Sequence, residues 1–360
     1  MQLIELRIKD LRCVQQAELL LSPGINLITG ANGAGKTSVI EAIHLMGYGR
    51  SFRGRVRDGM IRSGANQCEV FIRWLERRPG ERHAGLLHTG NTWQAKLNGQ
   101  STNSLTELCA EIPIVTFEPG SHELISGGAE HRRRYMDWGL FHVEHEFVQQ
   151  WRRYARALKQ RNILLKSQAN TGMLNPWERE MALSGEIISR YRAQYLEQLD
   201  LELNTTANRY LPELGRALLT FSPGWKRSEL SLQDALTLSR QRDLATGNTG
   251  VGPHRADWRV GYENLPNKET LSRGQEKLTA LACVMAQAEN YAHQKSEWPV
   301  VCMDDLASEL DVGHQAQVLS HLSESRAQVI LTATEAPAIL ENKLQVDARF
   351  HVKHGFVTTV

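Results

Sequence analysis

The sequence predicts an α/β fold: a mixed sheet with flanking helices, a β-subdomain and an inserted α-helical lobe. Three observations predict it. The octapeptide Gly30-Ala31-Asn32-Gly33-Ala34-Gly35-Lys36-Thr37 matches the phosphate-binding loop G-x-x-x-x-G-K-[ST] at every fixed position. Around it, short apolar runs rich in β-formers fill the chain up to about residue 117. From Glu118 to about residue 215 the apolar residues instead recur at helical spacing.

The loop has the context its chemistry needs. Ile25-Asn26-Leu27-Ile28-Thr29 reads as a strand entered from a Pro23-Gly24 turn, and Val39, Ala42, Ile43 and Met46 form a helical stripe after it. Glycines at this junction let the backbone curl so that its N–H groups converge on phosphate oxygens. The helix N-terminus adds partial positive charge. Lys36 can bridge the β- and γ-phosphates of a nucleotide, and Thr37 can place its hydroxyl on Mg²⁺.

Bulk properties exclude several classes. At 360 residues the chain can bury a large core, and its length suits two domains. The formal net charge of +2 points to no polyanion by itself, so local clusters matter more. Cys13, Cys68, Cys109, Cys283 and Cys302 include no C-x-x-C pair, which argues against a zinc or redox motif. Scattered free thiols suit a reducing compartment. The N-terminus starts in strand-like sequence with no signal peptide, and no apolar run nears the ~20 residues of a membrane span. The expectation is a cytoplasmic protein.

Along the chain, Ile4, Leu6 and Ile8 alternate as a half-buried strand, with Ala17 to Leu21 its antiparallel partner. Residues 49–62 hold Arg50, Arg53, Arg55, Arg57 and Arg62 against Asp58 alone; they read either as a solvated loop or as a contact to a phosphate backbone. Strands are expected at 68–75, 84–89, 93–97 and 112–117, with Asn98-Gly99 as a hairpin turn. His131-Arg132-Arg133-Arg134 opens a helix. Phe147, Trp151, Tyr154, Leu158 and Leu165 mark the next, with Arg152, Arg153, Arg156 and Lys159 on its other face. Pro176 begins a long helix to about Tyr210, striped by Ile188, Tyr191, Tyr195, Leu199 and Leu203. The stripes read as bundle core; the arginine faces read as solvated surface or as a partner surface. Residues 240–250 read as a polar return loop, before a strand near Trp258 to Tyr262.

Two late motifs complete a phosphate site. Leu271-Ser272-Arg273-Gly274-Gln275-Glu276 precedes a helix, so its N–H groups and the Ser272 hydroxyl can meet an anion. Val300-Val301-Cys302-Met303-Asp304-Asp305 is an apolar strand ending in two acids. Asp304 can hold Mg²⁺ and Asp305 can orient or deprotonate an attacking water. Ser308-Glu309-Leu310-Asp311 follows. Residues 328–335 read as a strand with a polar tip, which could place Thr332 or Thr334 near a γ-phosphate. A terminal hairpin turns at His354-Gly355.

Taken together, these motifs resemble the ABC-type ATPases of the SMC and RecF kind. The phosphate loop is the Walker A motif, Leu271-Ser272-Arg273-Gly274-Gln275 the signature, residues 300–305 Walker B and residues 308–311 the D-loop. Gly49-Arg50-Ser51-Phe52-Arg53, residues 132–138, Lys159-Gln160-Arg161-Asn162 and residues 252–257 carry the RecF-type resemblance through the chain. It implies an ABC-type P-loop ATPase head built from residues 1–117 and 241–360, with residues 118–240 as the helical lobe. It also implies a homodimer that closes on two ATP molecules, each held by one subunit's Walker motifs and by Ser272, Gly274 and Gln275 of the other. Lys36, Ser272 and Asp305 would be the catalytic groups. Lys9-Asp10-Leu11-Arg12-Cys13 is similar to the family's N-F-R segment without its Asn and Phe, which implies a phosphate contact for Arg12.

The same resemblance implies the partners: duplex DNA near single-strand gaps, RecR and RecO, and RecA loading in recombinational repair and the SOS response, with hydrolysis as a release switch. Asp305 stands where many ABC proteins have Glu, the switch histidine has no counterpart after Leu331, and Glu118 is near the usual Q-loop position. Against a transporter subunit stands the long helical insertion. Against a GTPase stands Asn267-Lys268-Glu269-Thr270, which lacks the Asp of N-K-x-D. Against a structural SMC stands the short reach of the helices at ~1.5 Å per residue.

Overall fold

Strand burial explains the sheet. In the computed structural model, which describes residues 1–54, 59–76, 80–102, 104–168, 170–265 and 270–360, the strands Ile25–Thr29, Val329–Ala333 and Val300–Met303 are buried almost without interruption. Such runs belong in a parallel sheet covered on both faces. Ala348–Lys353, Ile25–Thr29, Val329–Ala333, Val300–Met303 and Ile114–Phe117 pair in that order, all parallel. By contrast, Cys68–Leu75 alternates strictly between buried and more exposed positions. It belongs to an antiparallel wing with Gln2–Leu11, Val14–Leu20, Glu81–His88, Trp93–Leu97 and Gln100–Ser101. The terminal hairpin, Ala348–Lys353 with Phe356–Thr359, joins wing to parallel strands, so among the described residues twelve strands form one sheet.

Register sets the site. Met303 lies beside Leu331, Leu331 beside Leu27, and Ala333 beside Thr29. Three adjacent strands therefore end together, and residues 30, 304 and 334 leave the sheet at the same carboxyl edge, where open α/β sheets bind ligands. The helix Lys36–Tyr48 is buried on nearly every side, beyond the single stripe expected. A Cβ on Gly47 would stand 3.0 Å from the Ile112 carbonyl oxygen and from Ile114, so the helix lies directly on the sheet.

The chain divides into two compact units, Met1–His122 with Ser272–Val360, and Glu123–Leu271. The first holds the sheet. The second holds the helices Ala129–Val143, Phe147–Lys166, Asn175–Tyr210 and Leu232–Thr246, with the two-stranded sheet Ala217–Ser222 and Asp257–Tyr262. Two expectations are corrected here. Residues 240–246 are helix, not loop, and the unit boundaries fall at 122/123 and 271/272 rather than 117/118 and 240/241. The Leu232–Thr246 helix is capped by Ser231, whose hydroxyl accepts from Asp234 N–H, and ends at Gly247 with φ 67°. Its polar residues misled the reading because they serve buried charge. Asp243 and Arg240 face inward to Arg161 and Glu178.

Other arginines of the helical unit also serve buried charge. Arg132, Arg161 and Arg192 are buried and paired with Asp257, with Glu178 and Asp243, and with Asp137. Arg152, Arg153, Arg156 and Lys159 are exposed as expected. Arg55, Arg57 and residues 267–269 lie outside the described residues. Burial pushes the Cys68 thiol up to about 11 and that of Cys109 to about 12, with no disulfide among the described residues. Among them, too, no helix is long and apolar enough to cross a membrane.

Arg161 donates to Glu178 at 3.0 and 3.1 Å, and to Asp243 and the Thr249 hydroxyl at 2.8 Å each. Truncation leaves buried Asp243 without its cation and Glu178 with Arg240 alone. Arg161→Ala is expected to lower stability by about 3–5 kcal/mol in urea unfolding followed by helical circular dichroism. Exposed Arg156→Ala should change it by no more than about 0.5 kcal/mol.

Candidate functional site

The loop 30–37 takes a shape that favours glycine: φ is 77° at Gly33 and 121° at Gly35. Gly35 caps the Lys36–Tyr48 helix without a side-chain acceptor, so N–H groups of the first turn are left to a ligand. Lys36 is 6% exposed, and its Nζ donates to the carbonyls of Gly30 at 2.8 Å and Ala31 at 3.1 Å. Among the described residues no carboxylate pairs with it. Its charge is therefore held by neutral dipoles inside the loop, which suits an incoming anion.

The two acids after Val300–Met303 differ sharply. Asp304 is 1% exposed, and its Oδ1 accepts from the Thr37 hydroxyl at 3.2 Å and the Thr332 hydroxyl at 2.7 Å. Burial raises its carboxyl pKa, against the lowering effect of those two hydroxyls. Asp305 sits at φ 49°, ψ 47°, an unfavourable conformation for a side chain with a Cβ. Its N–H donates to the Thr332 hydroxyl at 2.9 Å, so one threonine orients both acids. Thr332 thus serves the acids, while Thr334 is exposed.

A cavity of about 870 Å³ opens on the loop, lined by Lys36 and Thr37, by Asp305, and by Arg12, Arg53 and Arg62. Arg12 lines this cavity and has a partner that the sequence did not reveal. Its Nε and Nη2 grip Glu41, a fully buried acid on the loop's own helix, at 2.8 to 3.2 Å. Ser51 donates to the same carboxylate, and Arg53 lies 3.8 Å from it. Arg62 is held by Asp10 at 2.6 Å. Sequence reasoning left Arg53 and Arg62 to solvent or a nucleic acid backbone; the fold brings both to the cavity wall. The missed signal was Glu41, an acid among Val39, Ile40, Ala42 and Ile43, which needed a buried cation.

The signature lies apart from this cavity: none of its residues line it. Ser272 caps the helix Arg273–Lys295 in a reciprocal box, with Gln275 N–H on its hydroxyl at 3.3 Å and its own N–H on Gln275 Oε1 at 3.0 Å. Ser272, Arg273 and Gly274 are exposed, and a Cβ on Gly274 would meet nothing within 4 Å. Four residues on, Lys277 reaches Glu309 at 2.9 Å, tying the signature helix to the D-loop turn.

Removing Arg12 should expose what Glu41 costs. Arg12→Ala is expected to destabilise the chain by about 3 kcal/mol, and Glu41→Leu in the same background to recover most of it, read as chemical denaturation midpoints.

Comparison with known proteins matches the chain over its length and in its fold. The RecF/RecN/SMC N terminal domain family matches residues 2–356. The DNA replication and repair protein RecF of Stenotrophomonas maltophilia is 53% identical over 364 residues, covering all of both chains. That of Xanthomonas euvesicatoria is 55% identical, covering 99% of this chain and 98% of its own. A solved structure of the recombination mediator protein RecF with ATP, from the RecFOR pathway, superposes with a TM-score of 0.89 at 26% identity, over 100% of this chain and 97% of that one. An Smc head bound to the C-winged helix domain of ScpA shares the ATPase-head fold, at TM-score 0.62 and 17% identity over 100% and 97%. The chain belongs to the RecF family, within the wider RecF/RecN/SMC group.

Proposed function

We propose that this chain is a RecF-like DNA-binding ATPase of DNA replication and repair. Its relatives carry that role in their names, and the solved RecF structure with ATP supports ATP as the ligand. The carrying observation is a pair of half-sites on one chain. One is a phosphate loop joined to a buried Asp304 through Thr37. The other is a signature whose Gly274 has open space around it and no positive φ to require glycine. A glycine without an intrachain reason suits close approach by something outside the chain.

In this reading Gly30, Ala31, Asn32, Gly33, Ala34, Gly35, Lys36 and Thr37 wrap the phosphates of ATP, and Lys36 leaves its two carbonyls for the β- and γ-oxygens. Arg12 faces the same phosphates from the cavity wall. Thr37 and Asp304 hold Mg²⁺, for which two adjacent hard oxygens are suitable ligands. When bound, that ion neutralises charge on the β- and γ-phosphates. Asp305 orients and deprotonates the attacking water. Being one methylene shorter than Glu, it suits slow turnover, which DNA would stimulate in a switch of this kind. Ser272, Gly274 and Gln275 of a second subunit close over the γ-phosphate, where the helix N-terminus stabilises developing negative charge. ATP thereby joins two heads on duplex DNA beside a single-strand gap, where RecR and RecO act with it to load RecA. Hydrolysis releases the complex.

Light scattering with and without ATP and duplex DNA tests this. ATP should double the mass. Lys36→Ala and Ser272→Ala should weaken the dimer, and Gly274→Leu should bind ATP yet stay monomeric. Asp305→Asn should keep nucleotide and dimer while losing about 100-fold or more in turnover. DNA affinity should fall linearly on a log–log plot against salt. An ATPase indifferent to DNA that stays monomeric in ATP would sink the proposal.

A further inference from the structure

A loop with φ 157° at Gly30, 77° at Gly33 and 121° at Gly35 is soft by itself. Two segments far away in sequence hold it. One is the turn at Arg12 to Val14. The other is the tip of the terminal hairpin, where His354 and Gly355 have φ 49° and 78°, as a two-residue hairpin turn requires. Gly355 N–H donates to the Ala34 carbonyl at 2.9 Å. A Cβ on Gly30 would stand 2.4 Å from the Val352 carbonyl oxygen of the same hairpin. One on Gly35 would stand 3.1 Å from Cys13 Sγ and 3.4 Å from Val352 Cγ1. The tip also presses on the first segment, since a Cβ on Gly355 would stand 2.0 Å from the Cys13 carbonyl oxygen.

The bond to Ala34 has a directional consequence. A trans peptide is planar, and the carbonyl of residue 34 and the N–H of residue 35 point opposite ways. Gly355 approaches from a side that does not line the cavity, whereas Gly35 does line it. Drawing the Ala34 carbonyl toward the hairpin therefore turns the Gly35 N–H toward the cavity. We propose that Gly355 is a positioning residue of the nucleotide site, presetting the Gly35 N–H for phosphate through the Ala34 peptide. The inference rests on the reading of loop 30–37 as that site. The hairpin itself touches no phosphate; it lowers the ordering cost of the loop before the ligand arrives.

Linkage makes the effect reciprocal: if the hairpin favours nucleotide, nucleotide favours the docked hairpin. Hydrogen exchange on the unaltered full chain, with and without ATP and Mg²⁺, reads it directly. The expected result is slowed exchange in peptides spanning 30–37 and also in those spanning 352–357. Protection of 30–37 with exchange at 352–357 unchanged would overturn the positioning role and leave the nucleotide site standing. No protection at 30–37 would overturn both. In parallel, Gly355→Ala, whose Cβ would press on the Cys13 carbonyl and shift the N–H away from Ala34, should raise the Kd for a fluorescent ATP analogue about tenfold, the loss of roughly one oriented hydrogen bond. Its KM should rise with kcat at saturation unchanged, and exposed Thr358→Ala on the same hairpin should match the parent. An unaltered Kd in a folded Gly355→Ala chain would equally overturn the proposal.

Discussion

One buried oxygen organises the carboxyl edge of this sheet. Asp304 Oδ1 accepts hydroxyl hydrogen bonds from Thr37, on the helix after the phosphate loop, and from Thr332, at the end of the strand between. Burying a carboxylate is costly unless it is hydrogen-bonded. The bonds form only when Ile25–Thr29, Val329–Ala333 and Val300–Met303 hold their observed register. A slip of one residue would turn Thr332 to the other face and leave Asp304 unsatisfied. The same hydroxyl accepts from Asp305 N–H and helps hold that residue in its left-handed conformation. The acids, the loop and the strand order thus stand or fall together.

The remaining charges follow a similar logic. Glu41 gathers Arg12, Ser51 and Arg53 around one buried carboxylate, so the N-terminal turn, the loop's helix and the basic segment meet at the cavity wall. In the helical unit, Arg161 gathers Glu178, Asp243 and Thr249. Each cluster ties together segments separated in sequence, and each makes an incorrect packing expensive. The signature contrasts with both. Its hydrogen bonds close locally between Ser272 and Gln275, which leaves the helix start shaped but uncovered on the surface.

Much was legible because it is local. A strand, a glycine loop and a helix adjacent in sequence carry their own signals, so loop 30–37, the strand into Asp304 and the capped start at Ser272 could be read directly. Helix limits at Asn175–Tyr210 followed from Pro176 and the apolar stripe. What was missed shares one cause: a buried charge is recognised only through its partner. Arg132, Arg161, Asp243 and Glu41 are polar and buried, because each has a partner that only folding supplies. The Leu232–Thr246 helix was read in part as loop for the same reason.

The amino-acid order alone therefore singled out the residues proposed for phosphate chemistry, since that chemistry depends on residue type at short spacing. Tertiary structure decided how they are assembled. It placed Thr332 between two acids, brought Arg53 and Arg62 to the cavity, and set Gly355 against Ala34, more than 300 residues away in the chain. Those contacts depend on strand order and register. Both are chosen by burial across the whole sheet, and no single segment encodes them.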